Sequence, residues 1–157
     1  MFGRSTPDQR RADWLSALAG RGLQICPSSF TVPVELWGLL SDARGFHLLC
    51  RGVTVRLDLY DRQRSRWEIP IAPATARPED AYADYAIRPL AHAGRLDERP
   101  EGARLVFDDP DHPDERRVFD GRARLGWRDH EAGRLAPEGA ETILLQLLAR
   151  DGVARAA

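Results

Sequence analysis

The sequence predicts an α+β fold, in which a mostly antiparallel sheet (a three-strand meander plus a hairpin) is covered by N-terminal, middle and C-terminal helices. Two observations indicate this class. Residues 45–73 alternate between apolar and polar side chains, as expected of strands with one packed and one solvated face. Near both ends of the chain the apolar residues recur instead at the spacing of an amphipathic helix. A length of 157 residues is typical of one domain, so residues 1–157 are expected to form a single α+β domain.

Two helices are predicted in the first third of the chain. The first begins at Pro7, where Ser5 or Thr6 can cap its amide groups, and it ends at Gly20. The segment LQIC that follows favours a short strand. A second helix is expected over residues 33–43, because apolar residues recur there at helical spacing, namely Leu36, Trp37 and Leu40.

Three strands are predicted in residues 45–73, separated by the turn sequences RG and DRQRSR. The second strand divides its side chains between two faces, with Val53, Val55, Leu57 and Leu59 on one and Thr54, Arg56, Asp58 and Tyr60 on the other. The third strand repeats this pattern, with Trp67, Ile69 and Ile71 opposed to Arg66 and Glu68. These strands are therefore expected to pair as an antiparallel meander with one apolar and one charged face.

The rest of the chain is predicted to add a helix, a hairpin, a short strand and a last helix. The middle helix is expected to start near Pro78 and to end just before Pro89. Residues 105–121 favour a hairpin, and a short strand is predicted to follow at Ala123, Leu125 and Trp127. The C-terminal helix is expected to stop at Gly152, and its apolar face consists of Ala140, Ile143, Leu144, Leu147 and Leu148.

The composition of the chain excludes several function classes. Lysine is absent, so all 23 residues counted as Lys or Arg are Arg. This excludes a Schiff-base lysine, a Ser–Lys catalytic pair and a phosphate-binding P-loop lysine. Together with the abundant Ala, Gly and Pro, it indicates a bacterium with a GC-rich genome as the source. The formal net charge of −1 provides no general attraction to nucleic acid or membranes, so neither is expected as a partner.

The two cysteines, Cys26 and Cys50, lie among apolar neighbours, and we expect both to be free thiols in the core. The first residues lack the apolar core of a secretion signal, and no apolar run approaches the roughly 18 residues of a membrane span. A cytoplasmic protein is therefore expected. No cofactor is expected, because the sequence contains no GxSxG, Walker, GxGxxG or CxxC motif.

The acidic segment DDPDHPDE (108–115) is the most chemically suggestive stretch. Its carboxylates have the chemistry to bind a divalent cation, with Asp109, Asp111 and Asp114 as the candidate ligands. The spacing does not fit an EF-hand loop, because Pro113 and Asp114 occupy positions that require an oxygen ligand and a glycine. His112 lacks the nearby second His or Cys of a zinc site. We therefore predict a solvated hairpin tip and no bound metal.

The charged sheet face and the missing catalytic motifs predict a non-catalytic cytosolic protein–protein interaction module, such as an adaptor, a chaperone-like protein or an inhibitor. Its partner would be another protein, and a homodimer is one form that this binding could take. The expected binding surface consists of Arg56, Asp58, Tyr60, Arg66 and Glu68, because Arg and Tyr are favoured at interfaces. The alternative is a small hydrolase or lyase, with acid–base residues on adjacent strands: His47, Asp58 and Glu68.

Overall fold

The structure is a computed structural model that describes residues 6–26, 32–71, 86–92, 99 and 103–155. Its main elements in chain order are α1 (Pro7–Gly20), β1 (Gln24–Ile25), β2 (Glu35–Leu39), β3 (Gly45–Arg51), β4 (Thr54–Tyr60), β5 (Ser65–Ile71), β6 (Ala86–His92), β7 (Arg104–Phe107), β8 (Glu115–Asp120), α2 (Gly121–Leu125) and α3 (Pro137–Arg155). All strand pairs are antiparallel. They form a first sheet in the order β1-β2-β3-β4-β8 and a second sheet in the order β6-β5-β7. The predicted α+β class is confirmed.

The terminal helices α1 and α3 pack on one face of the first sheet, as predicted. The Thr6 hydroxyl caps α1 by accepting a hydrogen bond from the Gln9 amide at 3.2 Å. The expected apolar face of α3 is confirmed, since four of its five residues are buried and Leu148 is half-buried. The helix continues to Arg155, so the predicted stop at Gly152 is wrong. None of the described helices has the length and apolar character needed to cross a membrane.

The helix-facing side of the first sheet forms the main hydrophobic core. Its residues come from the three central strands, from β8 and from both terminal helices: Leu36, Phe46, Leu48, Cys50, Val55, Leu57, Phe119, Leu18, Leu144 and Leu147. Arg117 of β8 also points to this side, where its guanidinium donates a hydrogen bond to the Leu147 carbonyl at 2.8 Å. That bond ties α3 to the sheet with a buried, charge-assisted contact.

Residues 33–43 contain strand β2 rather than the predicted helix. Val34, Leu36 and Leu40 are buried together, a set that fits the period of a strand as well as that of a helix. Trp37 shows which period applies, because it lies on the opposite face and is only partly buried. The strand conformation is established by pairing with β3, since all five residues from Glu35 to Leu39 have a partner there. The backbone hydrogen bonds to a distant strand outweigh the local helical spacing.

A three-strand antiparallel meander is present, but it consists of β2, β3 and β4. The sequence predicts β5 as its third strand instead, and that part of the prediction is wrong. The chain leaves the first sheet after Tyr60, makes a single 3-10 turn at Arg62–Arg64 and enters the second sheet as β5. The position beside β4 is taken by β8. The two arms of the predicted hairpin are strands, as expected, yet β7 pairs with β5 and β8 pairs with β4. The predicted pairing of the two arms with each other is therefore wrong. The connection from β4 to β5 and the connection from β7 to β8 each pass from one sheet to the other.

Two smaller elements also differ from prediction. Residues 86–88, expected at the end of the middle helix, belong to strand β6, while the earlier part of that helix lies outside the described residues. The predicted last strand at 123–127 is replaced by helix α2. Asp120 caps α2 by accepting a hydrogen bond from the Ala123 amide at 3.2 Å, and Gly126 ends it with a left-handed φ of 69°.

The other face of the first sheet packs in part against the second sheet, so it is not the freely solvated face that the sequence predicts. A second hydrophobic cluster joins the sheets there: Cys26, Leu39, Tyr60, Trp67, Ala103, Leu105 and Phe107. The Phe107 ring stacks on Tyr60 with centroids 4.3 Å apart. It also lies directly over Gly45, where any Cβ atom would overlap the ring. Glycine at this position permits the close approach of the two sheets.

Candidate functional site

A cleft of about 580 Å³ opens beside this second cluster, between the first sheet and strand β7. Cys26 and residues of β2, β3 and β4 form one side, and β7 with the start of the acidic segment forms the other. Among the residues that the structure describes, the lining consists of Cys26, Trp37, His47, Arg56, Tyr60, Arg104, Leu105, Val106, Phe107, Pro110 and Asp111. Its volume lies in the range of small-molecule and peptide-side-chain pockets.

Four neighbouring strands of the first sheet place a row of functional side chains on the face toward the cleft. Trp37 of β2 is paired with His47 of β3, which is paired in turn with Asp58 of β4. Asp58 is then paired with Arg116 of β8. Because directly opposite residues in a sheet share a face, the four side chains are neighbours. Cys50, three residues after His47, points into the main core, as expected.

His47 is a partly buried titratable residue of the cleft lining. Its ring stacks on Trp37 with centroids 4.5 Å apart and planes 5° apart. Its Nε2 lies 2.9 Å from the Glu35 carboxylate, and its side chain is 14% exposed. Burial lowers the pKa of His47 below its ordinary value, although the Glu35 hydrogen bond acts in the opposite direction. The imidazole is therefore mainly neutral at pH 7.

Asp58 lies under the cleft wall with 1% of its side chain exposed, and its carboxylate is already engaged. Arg116 donates two hydrogen bonds to it, at 2.7 Å and 3.2 Å, in a bidentate arrangement. The Arg56 Nε lies 3.3 Å from Asp58 Oδ2, the oxygen that also accepts the longer hydrogen bond from Arg116. Two guanidinium groups thus flank one carboxylate, so the three side chains carry a net positive charge. Arg116 thus binds Asp58 rather than a carboxylate of the adjacent acidic segment.

Arg56 has hydrogen-bonding capacity to spare. Its 3.3 Å approach to Asp58 is close enough for an ion pair, but it is not aligned as a hydrogen bond. The buried Nε has no hydrogen-bond partner in the described part of the chain. The side chain is 35% exposed and lines the cleft, so its guanidinium is accessible to a ligand.

Glu68 belongs to β5 of the second sheet, which is not adjacent to β4. The prediction that all three lie on adjacent strands is therefore wrong for Glu68. Its carboxylate is bound bidentately by Arg104, with hydrogen bonds of 2.9 Å and 3.0 Å. This contact raises the pKa of Arg104 above its ordinary value. Arg104 lines the cleft, whereas neither Glu68 nor Asp58 is part of the lining.

The predicted binding surface is likewise divided between the two sheets. Arg56 and Tyr60 line the cleft, and the Tyr60 hydroxyl donates a hydrogen bond to the Pro110 carbonyl at 2.6 Å. Arg66 belongs to β5, where it pairs with Asp108 at 3.2 Å and donates to the Gln63 carbonyl at 2.7 Å. Arg56 and Tyr60 are therefore the members of the predicted surface that can meet one ligand in the cleft.

The acidic segment is an ordered corner between β7 and β8, held by Arg64. The Arg64 guanidinium donates hydrogen bonds to the carbonyls of Asp108 and Asp109 and to the Asp114 carboxylate. The Asp61 amide also donates to Asp114, and this bond lowers the pKa of the Asp114 carboxyl. The carboxylates are exposed, as predicted, but the segment is not the tip of a hairpin.

The candidate metal ligands Asp109, Asp111 and Asp114 do not form a metal-binding group. Across the described ranges, no cluster of three or more His, Cys, Asp or Glu residues is placed to hold an ion. The Asp109 carboxylate lies 2.9 Å from the His112 ring, which raises the pKa of that exposed imidazole. Asp114 is committed to Arg64 and to the Asp61 amide. Asp109 and Asp114 therefore have structural partners within the corner.

Sequence reasoning missed several residues that shape the cleft: Glu35, Trp37, Arg104 and Phe107. The first two were assigned to a helix, although the alternation from Val34 to Leu40 contained the strand signal. No local pattern could indicate that β7 would approach β2 and β3, because that contact depends on the crossing of the chain into a second sheet.

No protein-family model matches the chain, and no curated protein or solved structure matches it either.

Proposed function

We propose that the protein is a non-catalytic protein–protein interaction module of the bacterial cytosol, and that the cleft between the sheets is its binding site. The observation that carries this proposal is the chemistry of the cleft walls, which combine aromatic rings with arginines: Trp37, Tyr60, Phe107, Arg56 and Arg104. Trp, Tyr and Arg supply most of the binding energy at protein interfaces, because they bury large areas and also hydrogen-bond. An adaptor, a chaperone-like protein or an inhibitor would each use such a site.

The state of the acid–base candidates supports binding over catalysis. A carboxylate can act as a general base only if one of its oxygens is free to accept a proton from the substrate. Asp58 and Glu68 each face a bidentate arginine, and neither lines the cleft. Burial raises the pKa of Cys50 to about 11, so this thiol is protonated at neutral pH and is a poor nucleophile.

A cytosolic site of action is part of the same proposal. Cys26 and Cys50 are both buried free thiols, which fits a reducing compartment. The GC-rich bacterial source rests on the composition, in particular on the absence of lysine. A homodimer would be one case of the proposed binding, with a second copy as the partner.

Affinity capture from a GC-rich bacterial lysate, followed by mass spectrometry, tests the proposal with two matched variants. Arg56→Ala removes a cleft guanidinium while leaving Asp58 paired with Arg116. Arg62→Ala removes an exposed arginine outside the cleft lining and serves as the control. We expect a stoichiometric partner with the wild type and the control, and much less of it with Arg56→Ala. Equal capture by all three proteins would place binding elsewhere, and no capture at all would count against the proposal.

One observation favours the second candidate, a small hydrolase or lyase. His47 lines a cleft of ligand size, and the Glu35 carboxylate can hold its imidazole in one orientation. If this dyad is catalytic, the protein should hydrolyse a member of a panel of chromogenic esters or catalyse elimination from a member of a panel of sugar acids. His47→Gln should then abolish turnover, and Glu35→Gln should shift its pH profile. If Arg56→Ala fails to capture the partner and the wild type turns over none of these substrates, the results favour the binding module.

A further inference from the structure

We propose that the partner binds as an extended segment that adds a β-strand to the edge of β7 that has no strand partner among the described residues, and that it places an acidic side chain against Arg56. This inference rests on the proposed function and specifies the form and chemistry of the ligand. The occupant is a segment of another protein, bound through its backbone along β7 and through its side chains to the first sheet. Such strand addition is a general mode of peptide recognition.

The cleft is lined by the edge of β7 rather than by one of its faces. Side chains alternate between the two faces of a strand, so a groove over one face contacts every second residue. Here four consecutive residues, Arg104 to Phe107, all line the cleft. In the part of the chain that the structure describes, β7 pairs with β5 alone. Its opposite edge therefore faces the cleft.

The backbone groups that face the cleft can be assigned from the register. The Asp108 amide donates to the Arg64 carbonyl at 2.9 Å, so residue 108 directs its hydrogen-bonding groups toward β5. In an antiparallel pair this orientation recurs at every second residue, which includes Val106 and Arg104. Leu105 and Phe107 must then direct their N–H and C=O groups away from β5. These two residues offer two donors and two acceptors to an incoming strand.

The two edge strands of the first sheet, β1 and β8, are poorly suited to this role. The edge strand β1 has two residues, too few to bind an extended segment firmly. The edge strand β8 has the sequence ERRVFD, in which four of six residues are charged, and such charges protect an edge from pairing. At β7, in contrast, Leu105 and Phe107 alternate with Arg104 and Val106 above a preformed cleft. The open edge and the cavity thus coincide at one place.

The side chains of an added strand would meet two different surfaces of the first sheet. One is the flat pair of rings formed by Trp37 and His47, stacked 4.5 Å apart, which suits an aromatic or aliphatic side chain. The other is Arg56, whose positive charge is in excess because Arg116 already neutralises Asp58. A carboxylate is the group that a guanidinium binds best in this setting. The segment should therefore carry an apolar and an acidic residue on the same face, two positions apart.

The dimensions of the cleft limit the contact to a short segment. A strand rises about 3.3 Å per residue, so an edge of four residues is roughly 13 Å long. The cleft volume of about 580 Å³ also fits a few residues rather than a folded domain. The recognised element is thus a short linear motif with a backbone-pairing core of about four residues.

A phage-displayed library of random twelve-residue linear peptides tests the proposal without knowledge of the natural partner. We expect the wild type and Arg62→Ala to enrich peptides that place an acidic residue two positions from an aromatic or aliphatic one. Arg56→Ala should bind the enriched synthetic peptides at least about tenfold more weakly, as for loss of a charge-assisted hydrogen bond. Enrichment without an acidic preference, equal affinity for Arg56→Ala or no enrichment would each overturn the proposal.

Hydrogen exchange then tests the strand geometry itself. On binding, the Leu105 and Phe107 amides should become protected at least tenfold, whereas the Arg104 and Val106 amides should already exchange slowly. N-methylation of the peptide amides that point toward β7 should abolish binding. N-methylation of the intervening amides, which point away from β7, should be tolerated. A ligand that requires Arg56 but leaves Leu105 and Phe107 unprotected would refute strand addition while leaving the proposed function intact. If Arg56→Ala binds both the peptides and the captured partners as well as the wild type does, strand addition and the proposed function are both refuted.

Discussion

Replacing Gly45 with alanine is expected to force the two sheets apart. The added methyl group would overlap the ring of Phe107, which is itself stacked on Tyr60 at 4.3 Å. Overpacking by one methyl group typically costs about 1–3 kcal/mol. Restricting the unfolded chain offsets about 0.4–1 kcal/mol of that cost, because Gly45 does not have a positive φ and alanine is compatible with its backbone. The expected net destabilisation is about 1–2 kcal/mol.

Urea denaturation followed by tryptophan fluorescence measures this change as a lower midpoint at an unchanged slope. The matched control is Gly20→Ala, since a Cβ atom at Gly20 has no atom within 4 Å and that glycine ends a helix. The control should be neutral or slightly stabilising. In the Gly45→Ala background, Phe107→Leu should cost less than it does in the wild type, with a coupling of at least about 0.5 kcal/mol. Wild-type stability of Gly45→Ala, or additive effects of the two changes, would refute the steric argument.

Three further outcomes are expected. Asp58→Asn leaves Arg56 and Arg116 without a countercharge, and it should lower the free energy of unfolding by about 2–3 kcal/mol in urea titrations, whereas an exposed Asp129→Asn should have no measurable effect. Arg64→Ala removes four hydrogen bonds from the acidic corner, so amide exchange at residues 108–114 should accelerate at least tenfold; unchanged exchange would mean that the corner is held by other contacts. The pKa of His47 is lowered in the folded state, so as the pH falls through about 6.5 the unfolded state binds more protons and the free energy of unfolding decreases. His47→Gln should therefore lose less stability than the wild type between pH 7 and pH 5, and parallel pH curves would contradict this assignment.

The sequence was sufficient where local pattern and tertiary environment agree. The N-terminal helix begins at Pro7 behind a Thr6 cap, and the C-terminal helix buries the apolar face that its spacing indicates. The alternation from Thr54 to Tyr60 correctly identifies a strand with an aliphatic face in the main core. In these segments the local signal and the long-range packing favour the same conformation, so one predicts the other.

The errors have a common physical origin in ambiguous or distant information. The apolar residues near Leu36 fit two periods, and pairing with β3 selected the strand. Strand β5 looks like the third member of a meander, because its alternation resembles that of β4. Nothing in its own residues indicates that β8, more than 40 residues later, takes the place beside β4. Strand partners depend on competition across the whole chain, which no local pattern records.

The candidate site shows the same division. From the sequence alone it follows that the chemistry depends on arginine rather than lysine, and that Arg56, Asp58 and Tyr60 share one face of a strand. Only the tertiary structure decides which of these groups is available. The fold pairs Asp58 with Arg116, places Glu68 in the second sheet and leaves Arg56 at the cleft, beside an edge of β7 that has no strand partner among the described residues. Side-chain chemistry and alternation are local properties of the chain, whereas pairing, burial and free edges depend on which distant segments meet.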